Sequence, residues 1–142
     1  MANIIPDSFK SELLKGTHNF ASSGGDSFKL ALYTDISSLS ASTTAFTTTN
    51  EVSTSGTNYT SGGNALTNSG VSVASNTAFI DFADLTFSSV TLSAVGAMIY
   101  NDDNSDKICL ILDFSGTKTA TNGDFIIQFP AAGASTAIFR IA

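Results

Sequence analysis

The 142-residue chain has little of what disulfides, metal clusters and catalytic sites are usually built from. It contains one cysteine, Cys109, one histidine, His18, and no tryptophan. A single cysteine excludes a disulfide within the chain and a multi-cysteine metal site. Cys109 stands inside the apolar run KICLILDF, which predicts a buried thiol. His18 stands alone in GTHNF, where a structural hydrogen-bonding role is the simpler expectation.

Charge is also scarce, because charged residues make up 13% of the chain, and the net charge is −6. This is about half the usual share of charged residues, which predicts a partly neutral, polar surface. The six basic residues are scattered, which argues against nucleic acid as a partner, since phosphate binding needs clustered lysine and arginine.

Long apolar runs are missing as well. No run reaches the about 20 residues that span a bilayer, so no membrane partner is expected. The N-terminus MANIIPDSFK lacks the pattern of a secretory signal, which predicts a protein made in the cytoplasm.

None of the motifs for a serine nucleophile, a zinc protease or a phosphate loop occurs, so we expect no enzyme, no catalytic residues and no cofactor.

The nearest match to an ion site is Asp102, Asn104 and Asp106, which have the alternate spacing of calcium-loop ligands. Lys107 replaces the glycine that such a loop needs, so an acidic hairpin tip is the simpler interpretation and no metal site is predicted. Whether these three residues ever bind a cation is left open.

The pattern of apolar residues predicts an all-β fold, an antiparallel β-sandwich or jelly roll with one short N-terminal helix. The helix is PDSFKSELLKG, with Asp7 as its cap and Gly16 as its stop, and Glu12 and Lys15 are expected to face water. About six short strands follow, Gly96 is expected at a bend or bulge, and Asn122-Gly123 at a hairpin turn. The predicted core residues are Phe28, Leu30, Ile80, Phe82, Leu110, Leu112, Phe125, Ile127 and Phe129.

We expect an N-terminal arm with the helix at residues 1–20 and one β-sandwich domain at residues 21–142. Within the domain, residues from about 37 to 76 form a polar interface loop rich in serine, threonine, glycine and asparagine. This composition fits a surface that lies against another protein, because uncharged hydroxyl and amide groups cost little to desolvate.

Four residues are predicted to contact partner proteins. Tyr59 is the expected anchor of the interface loop, since it is the one aromatic residue in the stretch NEVSTSGTNYTSGGNALT. Phe9, Leu13 and Leu14 form the apolar side of the helix, and a two-turn helix needs such a side to be buried somewhere. That place is either the chain's own sandwich or a neighbouring protein.

The chain resembles a family of small structural proteins of tailed bacteriophages. The resemblance covers most of residues 8–142 and is carried, in order, by SFKSELLKGTHNF, FKLALYT, TTNEVSTSGTNYTSGGNALT, AFIDFADLTFSSVTLSAVGAMIYN, LDFSGTKTATNGDFIIQFP and AIFRIA. It implies a virion component without catalytic residues. The role it implies first is a capsid decoration (cement) protein on the head surface, which binds the major capsid protein. The neutral polar surface and the marginal helix predict that the protein also binds copies of itself, as a dimer or trimer.

Two other roles stay open. A tail, neck or fibre-associated component of the virion is the first, and copy number per particle separates it from a cement protein. A glycan-binding host-adhesion module is the second. That role needs exposed aromatic side chains, and a chain with no tryptophan and three tyrosines offers few of them.

Overall fold

Antiparallel strands dominate residues 2–142, the part of the chain that the computed structural model describes. The elements are α1 (Asp7–Leu14), β1 (Phe28–Tyr33), β2 (Asn64–Ala65), β3 (Asn68–Ala74), β4 (Thr77–Phe82), β5 (Leu85–Asn101), β6 (Lys107–Ile127) and β7 (Phe139–Ile141). They form a four-stranded sheet in the order β2-β1-β5-β6 and a three-stranded sheet in the order β3-β4-β7. The prediction of an all-β antiparallel sandwich with one short N-terminal helix is confirmed.

The main core lies between the two sheets and is rich in phenylalanine. Phe20 stacks on Phe28 with ring centroids 4.3 Å apart, and Phe28 contacts Phe82 of the opposite sheet at 6.0 Å. Eight of the nine predicted core residues are buried, and the ninth, Phe129, is half-buried against the same cluster. Alternating apolar residues were sufficient to predict this layer because one face of each strand is packed against the other sheet.

A second apolar cluster covers the outer face of the four-stranded sheet. Its members from the sheet are Ala31, Tyr33, Met98, Tyr100, Ile108 and Ile111. Ile36, Leu39 and Phe46 cover them from the segment after β1, and Ile4 does so from the N-terminus. The central strands of this sheet are therefore buried on both faces, as the continuous burial at the end of β5 also shows.

The long hairpin of β5 and β6 turns at residues 102–106, and the predicted hairpin at Asn122-Gly123 is wrong. Asn122 lies inside β6 with φ of 48°, next to a shift in the pairing register with β5. The positive φ that asparagine tolerates is thus used for a β-bulge.

Gly96 lies at another register shift, as predicted, and a Cβ there would lie 2.5 Å from the Leu112 carbonyl oxygen.

The helix α1 begins and ends close to the predicted residues, although its cap differs. Pro6 is the N-cap, and the predicted cap Asp7 instead pairs with Lys10 at 2.8 Å between Oδ1 and Nζ. Gly16 has φ of 72°, the left-handed conformation that ends a helix.

Before the helix, the backbone of Ile4 exchanges two hydrogen bonds of 2.9 Å with Ile111, so the arm packs on its own sandwich.

Strand β3 lies within the predicted interface loop of about 37–76. The last third of that predicted loop therefore contains a strand, which corrects its interpretation as a loop. The stretch reads as polar because serine and asparagine separate its apolar residues. Its two valines, Val71 and Val73, are 56% and 72% exposed, so even they lack the full burial that marks a core strand.

The core makes a direct prediction about stability. Replacing Leu110, which is 3% exposed, by alanine should lower the free energy of unfolding by about 2–5 kcal/mol, since the substitution removes buried methyl groups and leaves a cavity. Leu14→Ala is the matched control, because Leu14 is 93% exposed, and this variant should unfold like the wild type. Urea unfolding followed by circular dichroism measures both. Equal stability of the two variants would contradict the assigned registers.

Candidate functional site

Residues 37–63, which we call the hydroxyl surface, cover the outer face of the four-stranded sheet with their first part and lie beside β1 with their second part. Most of its serine and threonine side chains are exposed, while Leu39, Val52 and Tyr59 are buried beneath them. Phe46 stacks on Tyr100 of β5 with centroids 4.7 Å apart. Regularly spaced apolar residues thus fix the segment to the sheet and leave its hydroxyl groups facing outward.

Backbone hydrogen bonds join the hydroxyl surface to the edge of β1. Val52 donates its N–H to the Leu32 carbonyl at 2.9 Å, and Thr34 donates to Asn50 at 2.9 Å. The segment thereby covers an edge strand that β2, with two residues, covers only in part. Covering that edge also removes a template for aggregation.

A group of hydrogen bonds around one carboxylate, which we call the Glu51 clasp, closes the segment. Glu51 is the one charged residue of the hydroxyl surface. Its Oε1 accepts hydrogen bonds from the Tyr59 hydroxyl at 2.8 Å and the Gly62 N–H at 2.6 Å, and Oε2 accepts one from Ser61 at 2.8 Å. The Tyr59 oxygen in turn accepts the N–H of Leu32 at 3.0 Å.

Tyr59 is therefore a member of the core, 3% exposed, and not the surface anchor that the sequence suggested. Burial, with a smaller contribution from the Glu51 carboxylate, raises the pKa of its phenol. The hydroxyl consequently stays protonated and keeps donating to Glu51. The anchor role fails because the aromatic ring fills space beside Phe87 and its hydroxyl group satisfies a buried backbone donor.

Short-range hydrogen bonds order the exposed part of the hydroxyl surface. Ser40 and Ser55 donate their N–H groups to side-chain oxygens two or three residues away, and Thr57 donates its hydroxyl to the Ser53 carbonyl. Asn50 and Asn58 take positive φ of 64° and 60° at its turns. A stretch whose composition is typical of linkers is thus held in one conformation by its own side chains.

A second polar site is buried beneath α1 and joins three distant parts of the chain. Glu12 accepts hydrogen bonds from His18 Nε2 at 2.9 Å and from Lys107 Nζ at 2.9 Å. Glu12 was expected to face water, and this is wrong, because both partners draw its carboxylate inward. His18 is a structural hydrogen-bonder, as predicted, and its side chain has no exposed area.

The other side of His18 is fixed by Asn101. The amide nitrogen of Asn101 lies 3.0 Å from His18 Nδ1 and 2.8 Å from an Asp26 carboxylate oxygen. Because Asn101 Nδ2 only donates and the Glu12 carboxylate only accepts, the tautomer that fits carries its proton on Nε2. The same Asp26 oxygen also accepts from Asn104 at 3.0 Å. We call these linked side chains the buried network.

Cys109 belongs to the same region but is closed to solvent. Its Sγ lies 3.9 Å from His18 Nδ1, in the order thiol, imidazole, carboxylate that nucleophilic sites use. The thiol is 1% exposed, however, and burial raises its pKa well above the usual value. No reacting group can approach such a thiol in this fold, so the arrangement supports packing and the prediction of a buried cysteine is confirmed.

The calcium-like spacing at the hairpin turn is used for internal contacts. Asp102 pairs with Lys29 at 3.1 Å, and Asn104 donates its amide to Asp26 and to the Thr17 carbonyl. Among residues 2–142, no three histidine, cysteine, aspartate or glutamate side chains form a group that could hold a metal ion.

The helix residues predicted to contact a partner are divided between core and surface. Phe9 is fully buried and contacts His18 and Phe139, so of the two places left open for it, the chain's own sandwich holds it and not a partner protein. Leu13 is half-buried against the core, and Leu14 is 93% exposed. Leu14 is therefore the most exposed of the four, and Leu13 is accessible in part.

Comparison of the chain with protein-family models, curated proteins and solved structures gives no match. Within residues 2–142 there is also no helix with the length and apolar character needed to cross a bilayer. Functional inference therefore rests on the surfaces described above and on the resemblance in the sequence.

The buried network predicts a pH-dependent stability. Burial raises the pKa of Glu12 and is the largest single effect, but the hydrogen bonds and charges of Lys107 and His18 together lower it below its usual 4.5. A carboxylate with a lowered folded pKa stabilises the fold above its unfolded pKa and loses that contribution as pH falls through the folded pKa. Glu12→Gln should therefore lower the free energy of unfolding by about 1–3 kcal/mol at pH 7, with a smaller difference from wild type below pH 4.5.

Urea unfolding at pH 7 and pH 3 measures this difference. Asp7→Asn is the matched control, since it removes a carboxylate whose pair with Lys10 is exposed and contributes at most about 1 kcal/mol. Wild-type stability of Glu12→Gln at pH 7 would show that the carboxylate does not hold α1 to the hairpin.

Proposed function

We propose that the protein is a structural component of a bacteriophage virion, a capsid decoration (cement) protein that binds the major capsid protein and copies of itself on the head surface. The observation that carries the proposal is the hydroxyl surface. It is a broad surface whose one carboxylate is already hydrogen-bonded inside the chain, and it contains most of TTNEVSTSGTNYTSGGNALT, one of the stretches that resemble small phage structural proteins.

The physical properties of the hydroxyl surface suit contact with a flat protein shell. Exposed hydroxyl groups donate and accept hydrogen bonds, and they carry no charge that must be desolvated. The turns are already formed in the chain, so binding costs less conformational entropy than it would for a flexible segment. Individually weak contacts of this kind gain strength when many copies bind a repeated lattice.

The buried network supports the same role. It connects α1 and the loop that contains Asp26 to the end of β5 and the start of β6, which lie 75–95 residues further along the chain. A protein that clamps shell subunits must transmit force between its surfaces without yielding. Buried, fully partnered polar side chains help to keep such elements in register.

The test is the location and number of copies in the particle. Quantitative mass spectrometry of virions that encode this chain should give a copy number that is a fixed fraction of the major capsid protein. Electron microscopy should then show its density over the whole shell. A handful of copies confined to the neck or tail would overturn the proposal in favour of the tail component, and absence from the particle would overturn both.

A further inference from the structure

The three-stranded sheet ends in an open edge at β7. β7 pairs with β4 through three residues, and it has no strand on its other side among residues 2–142. The opposite sheet has four strands, and β7 is one of the two edge strands of this smaller sheet. An unpaired edge presents backbone N–H and carbonyl groups to which another extended chain can add.

The inner face of this sheet continues past the core as an exposed apolar row. Val73 pairs with Ala78, and Ala78 pairs with Ile141, so the three side chains lie side by side on the face that also carries Ile80 and Phe139. Val73 is 72% exposed and Ile141 is 60% exposed, whereas Ile80 and Phe139 are buried. The row therefore has the composition of core without a layer to cover it.

A slot separates β7 from α1 and has apolar walls on both sides. We call it the strand slot; its volume is about 310 Å³. Ile5, Leu13 and Leu14 line it from the helix side, and Phe139 and Ile141 line it from β7. A strand added to β7 would direct alternate side chains into this slot, because successive residues of a strand point to opposite faces.

The charge beside the strand slot identifies the chemistry of the occupant. Arg140 is the chain's one arginine and projects from the face of β7 opposite Phe139 and Ile141. It makes no ion pair with any residue in 2–142, although the chain carries twelve acidic residues; its guanidinium reaches the Ala134 carbonyl at 3.5 Å. Lys10 lines the same slot. A free cation at a bare strand edge favours an aspartate or glutamate on the neighbouring strand.

We propose that an extended segment of the shell partner adds to β7 as a fourth strand, with apolar side chains in the strand slot and a carboxylate opposite Arg140. The identity of the partner as the major capsid protein rests on the proposed function. The segment has the pattern apolar, acidic, apolar, which matches Phe139, Arg140 and Ile141 position by position. A second copy is a poorer occupant, because edge-to-edge pairing of two β7 strands brings two Arg140 side chains onto one face.

The binding test uses heads stripped of this protein and measures bound copies against free concentration. Arg140→Glu should weaken binding about tenfold or more, since it places like charges on neighbouring strands, and Arg140→Lys should retain most of the affinity. Lys118→Glu is the matched control, because it makes the same charge change at an exposed site on β6 and should bind like wild type. Both positions are exposed, so neither substitution disturbs the core.

A photo-cross-linking amino acid at position 14 identifies the occupant. It should cross-link to a capsid-protein segment of the predicted pattern, whereas the same group at Ile126, another exposed apolar residue that lies away from the slot, should not. Cross-links from position 14 to a second copy, or wild-type binding by Arg140→Glu, would overturn the strand-addition proposal and leave the proposed function standing. Failure of the wild-type protein to bind heads at all would overturn the proposed function as well.

Discussion

The carboxylate of Glu51 joins residues 51–62, the second half of the hydroxyl surface, into one hydrogen-bonded unit. Three donors from one stretch, the hydroxyl groups of Tyr59 and Ser61 and the N–H of Gly62, converge on it. The Tyr59 oxygen also accepts the Leu32 N–H of β1, so the same side chain closes the segment and attaches it to the sheet. Tyr100 adds a hydrogen bond of 2.7 Å to the Gly62 carbonyl. These bonds add to the burial of Leu39 and Val52 and to the backbone hydrogen bonds with β1, so a stretch with the composition of a linker is held in place.

The four-stranded sheet is buried on both faces. The three-stranded sheet covers one face, and the hydroxyl surface with the N-terminal residues covers the other. The hydroxyl surface and the strand slot consequently belong to different sheets of one rigid sandwich. Two separate contact surfaces are what a protein needs in order to bridge neighbouring subunits of a shell.

The parts of the structure that local pattern could predict are those with a regular apolar face. The helix, the sandwich and the buried side chains of β1 and β4 follow from periodicity alone. Tyr59 and Glu12 were placed wrongly because their partners are distant: Leu32 is 27 residues from Tyr59, and Lys107 is 95 residues from Glu12. Strand β3 was missed because its valines are exposed, and Asn122 was misread because a bulge and a hairpin turn need the same positive φ.

The central claim is that the hydroxyl surface is folded in the free protein, and backbone ¹⁵N relaxation of the isolated 14.7-kDa chain tests it directly. Order parameters for residues 50–63 should be about 0.85, equal to those of β5 and typical of rigid backbone. Values below about 0.6 across these residues, with rigid strands around them, would mean that the segment is a flexible loop in solution and would contradict the account.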